Sequence, residues 1–255
     1  MKIEILDGDE VIKTFSSTEK SPFKSLELKK GMNVRRWALM TEPIKASKGV
    51  LSAQQSGLMS GYHVAPGTYT VRLTHKEFTQ SQQITVVKDP RDEASEEEII
   101  AKTEILKGIY QELVELYQIV TDMQQVRVQI KTMNERMSND DEIMETGDLI
   151  NKSITEVEAE LISPKQETFQ DIINYRNQLD QHLHYLMQTI DSNDPPLTEG
   201  EKTLLKELTD KLSVVKGKAN KVMTEEVAGY NNLLKEKGVQ YIAPKSSEEK
   251  PDNSM

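Results

Sequence analysis

The four histidines, His63, His75, His182 and His184, are the natural starting points for metal or general-base chemistry. His182 and His184 stand two apart, which on a helix turns their side chains about 200° away from each other. They cannot share one ion. No HExxH occurs, nor a Glu-x-x-His pair on each of two helices. The chain has no cysteine, so thiolate ligands, disulfides and a thiol nucleophile are excluded. A nucleophile elbow of the G-x-S-x-G type and a Gly-rich phosphate loop are also missing. Asp7-Gly8-Asp9-Glu10 has the composition of a calcium loop, but such a loop gathers six or more oxygens over about a dozen residues. Strand patterns flank it on both sides, so it reads as a hairpin turn. Carboxylates are plentiful, yet Glu96, Glu97, Glu98, Glu112 and Glu115 fall on the outside of a helical repeat, as a solvated face does. We expect no catalytic residue, no metal and no cofactor.

Ligand binding by stacking is the remaining chemistry. Aromatic residues make up 5% of the chain, thin for a sugar-stacking surface. Tyr62 and Tyr69, beside the stretch 41–60, are the two ligand-binding candidates, and a glycan is the ligand class they would take. The stretch 41–60 has weak periodicity and many Ser, Gly, Lys and Gln residues, and reads as a long loop.

The elements around these residues change character near residue 90. Before it, apolar residues recur with period two: Ile3 and Ile5, then Val11, Ile12 and Phe15 after the Asp7-Gly8-Asp9 turn, then Leu26 and Leu28. Trp37 and Leu39 share a face of a strand over 33–40, with Arg35 near its edge. Pro66-Gly67 is turn chemistry, and Tyr69, Val71 and Leu73 alternate with polar residues. Phe78 to Val87 completes a hairpin, and Asp89-Pro90-Arg91 stops it because Pro90 has no N–H to donate. Six or seven short strands over 1–90 predict an antiparallel immunoglobulin-like β-sandwich.

From Ser95 the period lengthens. Ile99, Leu106, Leu113 and Val120 recur every seven residues; Ile109, Leu116, Met123, Ile130 and Met137 form a second row displaced by three. Arg127 and Asn134 interrupt the first row, and polar residues there fix register. Ser138 to Asp141 breaks the helix, and Ile143, Gly147, Ile150, Ile154, Val157 and Leu161 line the next. Ser163-Pro164 restarts a third helix, lined by Ile172, Leu179, Leu183, Leu186 and Ile190 with Arg176 in the same track. Thr198 and Glu201 form a capping box for a fourth, whose seam runs Leu205, Leu208, Leu212, Val215, Ala219, Val222, then Tyr230 and Leu233, to a stop at Gly238. This predicts an antiparallel four-helix bundle over 91–243, with a polar, disordered tail over 244–255.

The 255 residues carry a net charge of −10, distributed unevenly. Residues 1–90 hold 13 basic and 9 acidic side chains, leaving 19 basic and 33 acidic for the remainder. An acidic helical half argues against binding of nucleic acid or of an anionic membrane there. No apolar run approaches the ~20 residues of a membrane span, so no membrane insertion is expected, and the N-terminus MKIEILDGDE lacks the apolar core of a signal peptide, so a cytoplasmic place is expected if this is the natural full-length product.

The ordered series GMNVRRWALM, APGTYTVRLT, a strand ending in Asp89-Pro90-Arg91, Asp194-Pro195-Pro196-Leu197-Thr198 and YNNLLKEKGVQYI resembles the C-terminal region of large bacterial sortilin-type propeller proteins. These are also described as BNR-repeat glycosyl hydrolase-like proteins. The resemblance covers about 1–243, and the β part alone also looks like the immunoglobulin-like module of flagellar hook-capping proteins. The chain departs from the pattern at Ala38, where an acidic residue is usual, and at Arg35, where an apolar one is. The propeller that would carry a hydrolase site is absent, so the resemblance transfers no catalytic residue. It implies a non-catalytic accessory region of an exported protein, periplasmic or extracellular, docking on an upstream propeller or a protein partner. The alternatives are a glycan-binding module and a helical oligomerisation scaffold.

Overall fold

The computed structural model describes residues 1–21, 24–47, 50, 61–166 and 168–239. In chain order the elements are β1 (Lys2–Asp7), β2 (Glu10–Ser16), β3 (Gly67–His75), β4 (Phe78–Val86), α1 (Glu96–Arg136), α2 (Asp141–Leu161), a 3-10 segment (Phe169–Ile173), α3 (Leu179–Ser192), α4 (Glu199–Lys221), a π turn (Val222–Glu226) and α5 (Val227–Glu236). The last three run on without a break, so the helical region counts four helices. The chain divides into two compact units. One draws on Met1–Ile44, Gly57–Glu112 and His184–Lys202; the other on Lys45–Ser56, Leu113–Leu183 and Thr203–Met255.

The first unit is built on one antiparallel sheet in the order β2-β1-β3-β4. Gly8, at φ +56°, makes the β1–β2 turn, and Lys76, at φ +53°, makes the β3–β4 turn. Ile5, Ile12, Phe15, Leu26 and Tyr69 form the core, with Ile3, Trp37, Val71 and Ile84 packed against it. Each such side chain taken from water contributes about 1.5–3 kcal/mol. Glu4 is buried as well. Burial raises its carboxyl, but hydrogen bonds from Lys2 and Arg72 outweigh that and hold it below the usual carboxylate range.

The expected immunoglobulin-like sandwich is not formed: among the described residues there is one four-stranded sheet and no second one facing it. Among the described residues of 23–29 and 33–40 there is no strand, only the isolated bridges Ser16–Ser25 and Met40–His63. Leu26 and Trp37 do reach the core, but they do so from irregular backbone. Trp37 Nε1 donates to Met40 O at 2.8 Å, and Leu39 sits at φ +58°. Two large side chains thus cover the sheet face that a second sheet was expected to cover, and period two alone cannot tell the two solutions apart.

The helical region also corrects the expectation. Its four helices are very unequal, and neither a four-helix bundle nor a coiled coil is in evidence. α1 has 41 residues and α3 only 14, about 62 Å against about 21 Å. The third helix does not start at Ser163-Pro164. Thr168 donates its N–H to Asp171 Oδ2 at 2.8 Å and sets up one 3-10 turn, after which the chain straightens; Arg176 lies outside any helix and is exposed. Elsewhere the ends are capped as their sequences indicate. Ser95 and Glu98 exchange hydrogen bonds at the start of α1, Thr198 and Glu201 do so at α4, and Asp140 accepts from Ile143 N at α2.

In the second unit, Gly147 on α2 meets α1 so closely that a Cβ would lie 2.5 Å from Asn134 Oδ1. The α4–α5 seam buries Leu208, Leu212, Val215, Ala219 and Val222, then Val227, Tyr230 and Leu234. The π turn makes the five-residue step from Val222 to Val227, and Leu234, four residues after Tyr230, is buried in place of the expected Leu233.

Candidate functional site

Tyr62 and Tyr69 line the same cleft of about 220 Å³ in the first unit, together with Thr41, Thr103, Glu104 and Lys107. Both rings are buried. Trp37 meets Tyr69 edge-on at 5.7 Å, Tyr110 meets Tyr62 edge-on at 5.6 Å, and the Tyr69 hydroxyl donates to Ala65 O at 2.8 Å. Neither ring offers an open face for stacking. Burial pushes the Tyr69 hydroxyl up to about 12 and raises that of Tyr62 further, so both are neutral phenols at physiological pH. Of the stretch 41–60, Thr41, Ile44, Ser47 and Val50 are buried, and 48, 49 and 51–60 lie outside the described residues.

The histidines separate as their spacing requires. His184 is buried, which pushes its imidazole down to about 4, while His182 is exposed. His63 Nδ1 lies 2.9 Å from Asp191 Oδ2, and that hydrogen bond raises the imidazole above its usual value. Lys102 Nζ donates to the carbonyl of Asn193 at 2.9 Å, close by. This polar group joins β-domain sequence to the end of α3 within the first unit, and among the described residues no nucleophile is in hydrogen-bond contact with the imidazole. Among the described residues no three His, Asp or Glu side chains are gathered to hold an ion.

In the second unit several buried polar side chains pair with one another. Tyr117 donates to Asp180 Oδ2 at 3.2 Å, and burial lifts that carboxyl to about 7. Arg127 and Gln124 both reach Glu158, at 2.5 and 2.8 Å. Asn134 links Tyr230, Asp148 and the carbonyl of Met144.

The feature that sequence reasoning missed is the outer edge of β4. Among the described residues this nine-residue strand pairs with β3 alone. Seven of its residues, Phe78 to Gln83 and Thr85, are exposed, and Ile84 and Val86 are half-buried. It holds no charge and no proline in a chain that is 29% charged. Edge strands are ordinarily blunted by lysine, proline or a bulge, and this one has none of them. The signal was in the sequence as the uncharged run FTQSQQITVV, but only the strand order makes it an edge.

No family model matches the chain, and no curated protein or solved structure is similar to it. The residues themselves are therefore the basis for a functional reading.

Proposed function

We propose that this chain is a non-catalytic interaction region that assembles by adding a strand at β4, and that the strand it takes is β4 of a second copy. The observation carrying this reading is the open edge of Phe78–Val86, nine residues long and free of charge. Laid antiparallel against itself, an uncharged Thr/Gln/Ser strand meets no like-charge repulsion, and backbone hydrogen bonds supply the affinity. The net charge of −10 per chain opposes approach over distance, but beyond about 10 Å at 0.1 M salt it is screened. The resemblance to accessory regions of exported propeller-type proteins supports the same kind of role, with docking on a propeller and placement outside the cytoplasm following from it alone.

Sedimentation velocity on the whole chain tests the assembly. The expected result is a monomer–dimer equilibrium at moderate salt that the exposed substitutions Ser81→Lys and Gln83→Lys abolish without changing the melting temperature. A wild-type chain that stays monomeric at every concentration overturns it. Turnover of a glycan or ester substrate by the whole chain overturns the non-catalytic part.

A further inference from the structure

The irregular segment after β2 carries a second surface, on the first unit and independent of the β4 edge. Leu26 and Trp37 anchor its two ends in the core. Between them the chain runs out and back, and Asn33 closes the excursion. Its Oδ1 accepts from Lys29 N at 2.7 Å, and its Nδ2 donates to the carbonyls of Lys29 and Gly31, each at 2.9 Å. Gly31 supplies the φ of +97° that the turn needs. The tip is thus a shaped loop, and it holds two apolar side chains in water: Met32 is 92% exposed and Val34 82%.

Cations flank the tip along the sequence, one of them, Lys24, paired with Glu42 at 2.8 Å. From Lys20 to Leu39 the sequence has six basic residues, Lys20, Lys24, Lys29, Lys30, Arg35 and Arg36, against one acidic residue, Glu27. Lys20, Lys29, Lys30 and Arg36 are exposed, and Arg35 lies over the Phe15 ring at 4.6 Å. Beside the loop a cleft of about 560 Å³ is lined by Lys20, Leu28, Asn33, Val34 and Arg35.

We propose that this loop seats on an anionic lipid surface, with Met32 and Val34 entering the headgroup boundary and the surrounding lysines and arginines meeting lipid phosphates. Exposed aliphatic tips flanked by cations fit an interface that is apolar below and anionic above. Single-stranded nucleic acid would call for exposed aromatic rings, and the one indole nearby, Trp37, is occupied by Tyr69 and by Met40 O. The acidic balance of the chain does not forbid the contact, because a charge more than a Debye length away is largely screened. The association is peripheral: no described helix is long and apolar enough to cross a membrane.

Vesicle co-sedimentation with the whole chain tests this. Binding is expected to mixed phosphatidylcholine–phosphatidylserine vesicles and not to pure phosphatidylcholine, and it should weaken as salt rises. Met32→Asp combined with Val34→Asp should lower partitioning about tenfold or more. Lys29→Glu with Lys30→Glu should abolish it. All four positions are exposed, so circular dichroism melts should match wild type. No binding to the mixed vesicles overturns the proposal. So does binding that survives the Met32→Asp/Val34→Asp change, which would leave a charge-only contact. Tighter binding to a single-stranded oligonucleotide than to the vesicles at equal salt, lost in the lysine variants, would replace lipid by nucleic acid.

Discussion

Asp180 is fully buried at the start of α3. The Tyr117 hydroxyl donates to one of its oxygens and the Gln181 N–H to the other. Burial lifts the carboxyl to about 7, far above the ~3.9 of an unfolded aspartate. The sign follows from linkage. The fold favours the protonated acid, so its contribution is complete below pH ~4 and is lost as pH rises through ~7. Asp180→Asn keeps the shape and removes the titration. The variant should melt higher than wild type at about pH 8, by the equivalent of roughly 1–3 kcal/mol, and the two should converge toward pH ~4. Thermal melts across that range check it, and a wild-type curve that is flat from pH 5 to 8 would refute it. Leu179, Leu183, Leu186 and Ile190 were legible as a buried track and are buried. Asp180 was not, because an acidic residue in the first turn of a helix reads as a dipole partner at the surface, and only tertiary packing turns it inward.

At the scale of elements, the two apolar rows on α1 were readable from spacing alone. Leu106, Leu113 and Val120, with Ile109, Leu116, Met123 and Ile130, are all at most 2% exposed. What spacing could not show is how the polar interruptions are used. Arg127 pairs with Glu158 on α2, a carboxylate only 5% exposed in its side chain. Breaking that pair from one side leaves the carboxylate buried without its cation. Arg127→Ala should therefore destabilise the chain by about 3 kcal/mol, whereas Arg127→Met with Glu158→Leu should recover most of it. Denaturant titrations of wild type and the two variants decide the matter, and a double variant as unstable as the single one would show that shape rather than charge sets the cost. The third helix was misplaced for a local reason. Ser163-Pro164 is a good helix start in isolation, but the Thr168–Asp171 hydrogen bond closes a single 3-10 turn instead.

At the scale of the molecule, the compact units are not sequence-contiguous. The first unit combines the sheet with Glu96–Glu112 of α1 and with His184–Lys202. Its ties are long-range: Lys107 to Glu10 across 97 residues and His63 to Asp191 across 128, with Tyr110 against Tyr62. Composition could mark where the period changes, near residue 90, but not which distant helix segments return to complete the sheet's unit. A fragment ending at Pro90 is accordingly expected to lack a cooperative melting transition, while a fragment that melts sharply with the whole chain's near-ultraviolet dichroism would contradict this. The hairpins were legible because their turn residues are local, and the absent second sheet was not, because Leu26 and Trp37 bury themselves equally well from a strand or from a coil.

The π turn at Val222–Glu226 sets the phase of everything after it. Each residue of an α-helix advances about 100° around the axis. The wide turn absorbs one surplus residue, so the buried line that ends at Val222 resumes at Val227 and Tyr230 instead of winding off to the side. The rod from Glu199 to Glu236 is in that sense two clocks set to the same hour. A chain shortened by one residue at that point would keep its helix and lose its timing, swinging the Tyr230 hydroxyl away from Asn134, which it now meets at 3.0 Å.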